Sequence, residues 1–158
     1  MVAGVTILKS CVNHDIGDPS LEPTTDASLF EEANSTGFTF YQNGAIFQQV
    51  SPSTHGHFKL RFNATAASVL DNTGELPTNG RFPVGSIIVK ESYRNNTLSG
   101  LDVIKKAPRD VNASNGWLWG VYSLDGVAAV TIENKGSQCV NCHSGTPNRD
   151  LVRTFDLH

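Results

Sequence analysis

The feature that most constrains this chain is the pentapeptide Cys139-Val140-Asn141-Cys142-His143, close to the C-terminus. Two thiols three residues apart reach both vinyl groups along one edge of a porphyrin. The adjacent histidine then swings under the iron, which is why C-x-x-C-H is the signature of c-type haem attachment. Other chemistries suit the spacing less well. Zinc wants four ligands, commonly with a second paired set, and only Cys11 and scattered histidines remain. A dithiol redox pair belongs after an early strand in a βαβ pattern, which this sequence lacks. The reading is therefore one covalently bound haem c, held by Cys139 and Cys142, with His143 as the proximal ligand to iron.

A chain of 158 residues can bury a core and enclose such a cofactor in one domain. Its net charge of −3 is spread over both signs with no basic stripe, so no nucleic-acid partner is expected. No apolar run approaches the roughly 18 residues of a membrane span. Residues 1–26 are polar and broken by Pro19 and Pro23, and read as an N-terminal arm before a single domain over 27–158. Val2 to Leu8 is too short, and lacks the preceding basic residues, to be a complete secretory signal. Thioether haem is assembled outside the cytoplasm, so a periplasmic or extracellular location is expected, with a signal in the precursor. Cys11 is left over; an incidental thiol is its simplest reading, since Leu8-Lys9-Ser10-Cys11 resembles a lipobox only loosely.

Periodicity makes the domain mainly β, an antiparallel sheet with a few short helices. Ala27 to Asn34 reads as a short helix capped by Asp26 and ended before Gly37. Phe38 to Tyr41 and Ala45 to Val50 read as two strands around Gln42-Asn43-Gly44. Ser51 to Thr54 is a loop. His57 to Asn63 alternates, with Phe58, Leu60 and Phe62 on one face and Lys59 and Arg61 on the other. Ala64 to Leu70 predicts a second short helix. Ser86 to Tyr93 carries Ile87-Ile88-Val89, apolar on both faces and so central. After a turn at Asn95-Asn96, Leu101 to Lys105 returns as a strand. Trp117 to Ser123 and Val127 to Ile132 form a hairpin around Leu124-Asp125-Gly126, and the pentapeptide follows on a short helix.

Small helical cytochromes carry C-x-x-C-H near the N-terminus and use a downstream methionine as sixth ligand; here the motif is near the end and the only methionine is Met1. Four-helix cytochromes c′ need long amphipathic helices, and this chain has alternating strands and 14 glycines instead. From about His55 onward it resembles the β-rich monohaem group of cytochrome P460 and cytochrome c′-β. The resemblance rests on Phe82-Pro83-Val84-Gly85-Ser86-Ile87-Ile88-Val89-Lys90-Glu91, on Val103-Ile104-Lys105-Lys106, on Asn115-Gly116-Trp117 and on the terminal Cys-x-x-Cys-His, in that order. It implies a haem that binds nitric oxide or a similar small ligand, or, in an enzyme, a haem oxidoreductase of the hydroxylamine-oxidising type. It also implies a homodimer and an unidentified redox partner. In P460 members a lysine bonds to a porphyrin meso carbon; the match is Lys90, as a cross-link or as a contact at the haem edge.

The distal side has two readings. A cap of Phe58, Leu60 and Phe62 is c′-β-like; one of Lys59 and Arg61 is P460-like. A one-residue shift exchanges the faces, and the apolar cofactor favours the aromatic one. A second histidine ligand from His55 or His57 would instead give a six-coordinate electron-transfer cytochrome, against the simpler reading of loop histidines. Trp117 and Trp119 share a face and read as core or haem packing.

Overall fold

A computed structural model describes residues 23–48 and 55–157. Cys11, most of the N-terminal arm, Gln49-Val50 and the Ser51–Thr54 loop lie outside the described residues. The frame is a six-stranded antiparallel sheet in sequence order: β1 (Thr39–Phe40), β2 (His57–Phe62), β3 (Ile87–Arg94), β4 (Thr97–Lys106), β5 (Trp117–Tyr122) and β6 (Ala128–Val130). Asn95 and Asn96 take φ of 50° and 61° between β3 and β4, the left-handed pair that a tight two-residue hairpin requires.

Alternation gives each face its own core. Ile87, Val89, Leu101, Val103, Leu118 and Tyr122 point to one side, where helix α1 (Asp26–Ala33) buries Leu29 and Ala33 against them. Leu60, Phe62, Ile88, Trp117 and Trp119 point to the other, under helix α2 (Ala64–Ala67), Leu76, Phe82 and the C-terminal Val152 and Phe155. Covering both faces explains why β3 is apolar on both.

The cap of α1 is Thr25, in a reciprocal box with Ser28, where the sequence suggested Asp26. Asp26 sits in the first turn and accepts from Tyr122 Oη (2.9 Å), the Ile132 amide (3.1 Å) and the Thr131 hydroxyl. At the other end of α1, Arg61 donates to the Ala33 carbonyl (2.7 Å) and to Glu91 (2.8 Å).

Two further expectations need correcting. Residues 38–50 do not make a hairpin among the described residues. Gln42 and Asn43 take φ of 48° and 54° in a tight turn, Tyr41–Gly44, that jogs the chain sideways. Thr39 and Phe40 then pair with Phe62 and Arg61, while Phe47 bridges Phe58 further along β2. Second, α2 stops at Ala67. Its cap Asn63 accepts from the Ala66 and Ile87 amides and donates to the Gly85 carbonyl, so α2 serves as a staple between β2 and β3.

Candidate haem site

Helix α3 (Val140–His143) is a single turn, with Cys139 as its N-cap. The chain enters it through Gly136, whose backbone passes close against the Trp119 ring. At φ +63° a Cβ there would stand 2.4 Å from Trp119 Cδ1, so the approach admits only glycine. The Gly136 carbonyl accepts from the amides of Cys139 and Val140, which fixes the first turn. Cys139 is half-buried and Cys142 exposed. Burial, with the nearby Asp102 charge, pushes the Cys139 thiol up.

His143 is held on three sides. Its ring meets Trp119 edge-on at 5.0 Å between centroids and His55 at 6.2 Å. Its Nδ1 lies 2.7 Å from the Leu151 carbonyl. A carbonyl only accepts, so Nδ1 carries the proton and Nε2 keeps its lone pair. Burial lowers the imidazole's pKa to about 4, outweighing the hydrogen bond to Leu151; the charges of Lys90, His55 and Arg153 act in the same direction as burial. At neutral pH this is a neutral ring with one available donor nitrogen, the form that ligates iron.

The ring borders an open cleft lined by Leu60, Ile88, Ile104, Trp119 and Val152, with Lys90, Asp102 and His55 also on its wall. An apolar cleft with a few polar groups is the ordinary form of a cofactor site. Lys90 rests its Nζ 4.1 Å above the Phe58 ring. Burial lowers its pKa to about 8 against the attraction of Asp102 and Cys142. Asp102 accepts from Ser92 (2.8 Å) and faces His55 Nδ1 at 3.4 Å. Burial alone would raise the Asp102 carboxyl, but His55, Ser92 and Lys90 together hold it below its usual value.

The structure therefore gathers Cys139, His143, Lys90 and Leu60 around one cleft, with Cys142 exposed on α3 one helical turn from Cys139. Phe58 supports Lys90 and stacks on Phe47, and Phe62 lies deeper between Phe82 and Phe155. Lys59 and Arg61 face away, toward Tyr93 and Glu91. Ser86, just before β3, is buried and does not line the cleft. Sequence reading missed Asp102; its signal was one acid in the apolar run Leu101-Asp102-Val103-Ile104.

The donor set fits a c-type haem: paired thiols one helical turn apart, a neutral imidazole with a set tautomer, and an apolar cleft beside them. None of the curated proteins compared with the chain matches it. The profile of the family described as Cytochrome P460 matches residues 45–154, which take in β2 to β6, the cleft and the whole Cys139–His143 segment, so the chain belongs to the cytochrome P460 family, whose members bind haem c.

Proposed function

We propose that this protein is a monohaem cytochrome in which Cys139 and Cys142 form the thioethers, His143 is the proximal ligand, and a small molecule such as nitric oxide is bound or undergoes redox at the iron. The observation that carries it is the Nδ1 hydrogen bond of His143 to Leu151, which directs a neutral imidazole's free nitrogen to its work beside two thiols. When bound, the haem supplies the redox centre and the coordination site. The chain's own residues would hold and tune it: Leu60, Ile88 and Trp119, which line the cleft, would keep water from it, and Lys90 would lie at its edge. Assembly of the thioethers places the protein outside the cytoplasm.

The test is whether haem stays with the polypeptide through acid–acetone extraction and denaturing electrophoresis, and leaves when Cys139 and Cys142 are both replaced by alanine. Haem that extracts completely from the wild type would overturn the assignment. Digestion also settles Lys90: a haem peptide that includes residues around Lys90 marks a cross-link, and a free Lys90 peptide marks a contact.

A second reading, a six-coordinate electron carrier, is favoured by one observation. The His55 and His143 rings lie 6.2 Å apart at 79° and border the same cleft. Ready binding of carbon monoxide to the ferrous protein supports the first reading. A low-spin spectrum that carbon monoxide does not change, and that becomes high-spin in His55→Ala, supports the second.

A further inference from the structure

The C-terminal segment contains a strained turn that the sequence does not announce. Arg149 and Val152 exchange both backbone hydrogen bonds at 2.9 Å, and between them Asp150 and Leu151 take φ of +51° and +69°. Two left-handed residues closed by such a pair are the pattern of a type I′ turn, where Asn-Gly or Asp-Gly is the rule. Leucine in this region is an outlier, and such strain persists only where its surroundings over-determine it.

The surroundings are visible. The Asp150 carboxylate is buried and accepts from the Phe82 amide (2.9 Å), from Lys106 Nζ (2.8 and 3.0 Å) and from Arg81 (3.3 Å). Lys106 is itself confined, its ammonium 4.7 Å from the Trp117 ring centroid. Asn148 Oδ1 accepts from the Leu151 amide at 3.1 Å. What this clamp aims is the Leu151 carbonyl, the group that takes the His143 Nδ1 proton at 2.7 Å.

We propose that Asp150 is a positioning residue for the proximal histidine: by holding the turn in its strained form it sets the hydrogen bond His143 donates to Leu151, and with it the electron-donating strength of His143 toward haem iron. The inference rests on the haem reading above. A stronger bond from Nδ1 makes an imidazole more basic at its other nitrogen, which favours the ferric state. Relaxing the clamp weakens that bond and favours the ferrous state.

The experiment measures the midpoint potential and the ferrous iron–histidine stretching frequency in the wild-type holoprotein and in Asp150→Asn and Lys106→Gln. Asparagine tolerates the left-handed region, so Asp150→Asn removes the charge and leaves the turn accessible. Both variants should shift the ferric/ferrous ratio about tenfold toward ferrous, a potential about 59 mV higher. The stretching frequency should fall in both. Tyr122→Phe, on the opposite face of the sheet, controls for loss of stability and should move neither reading. Should either Asp150→Asn or Lys106→Gln fold, retain haem and show the wild-type potential and stretch, Asp150 only anchors the tail and the inference is wrong. A wild type that holds no haem defeats the underlying reading instead, before any variant is compared.

Discussion

Lys90 is the residue at which the cleft departs most from what stability alone would choose. A half-buried amine above Phe58, its pKa pulled down to about 8 by burial, holds fewer protons in the folded state than in the unfolded one between about 8 and 10.5. Stability contributed at this site therefore rises with pH across that window and is lowest below it. In the haem-free protein, Lys90→Met should be more stable than the wild type at pH 7 by on the order of 2 kcal/mol. The advantage should fade as pH climbs through the window. Urea titrations at several pH values read this directly, and an advantage independent of pH would refute the electrostatic account. Arg61 is the opposite case. Only 8% exposed, it ties Glu91 on β3 to the last turn of α1. Arg61→Ala leaves Glu91 without its charge partner, with only the Tyr93 hydroxyl donating to it, and should cost about 3–5 kcal/mol. A loss below ~1 kcal/mol, the range of an exposed pair, would show that α1 is anchored elsewhere.

At the scale of elements, α3 is too short to hold its own shape and takes it from the sheet. A four-residue helix is far below the length that is stable alone. Its geometry comes from Gly136 lying on Trp119 and from the Leu151 carbonyl at its other end. Gly136→Ala should therefore lower stability by more than ~2 kcal/mol, through a clash and a left-handed backbone at one position. It should also reduce haem incorporation, measured as haem absorbance per polypeptide, while Gly74→Ala, equally left-handed but with Tyr41 no closer than 3.7 Å, should leave incorporation near wild type. Equal haem content in both variants would mean that α3 does not depend on Trp119. The same distinction explains what the sequence revealed. β3, β4 and the hairpin at 124–126 were legible because apolar alternation and turn residues are local signals. The segment 38–48 was not, because its two halves pair with β2 and not with each other. The Asp150–Leu151 turn was illegible because a leucine occupies a place where glycine would have announced it. The meeting of His55 with Asp102 was hidden for another reason: it joins a residue just ahead of β2 to one on β4, two strands away in the sheet.

Across the whole molecule, the two faces of the sheet are built by different means. The α1 face is a closed apolar layer, with Leu29, Val89, Leu118 and Ile132 at most 1% exposed. The other face is completed by residues 136–157. They meet the sheet through side chains, Phe155 on Phe62, His143 on Trp119 and Asp150 on Lys106 among them, and form no strand in it. Arg149 reaches Glu75, Asp156 and the Leu76 carbonyl, which ties the tail to the 71–76 loop more than to the strands. A segment held by side chains, with an open cleft beneath it, can open without breaking a sheet ladder, so its local stability lies below the global value. Haem joined to Cys139 and Cys142 would pack in that cleft only in the closed arrangement, raising the cost of opening. Amide hydrogen exchange of the haem-free protein should therefore show His143, Ser144 and Val152 exchanging faster than Val89, Val103 and Leu118. In the holoprotein those three tail amides should approach the protection of the strands. Uniform protection in the haem-free state, or a tail that stays equally fast after haem attachment, would contradict a division of labour in which the α1 face supplies the fold and the cofactor completes the other.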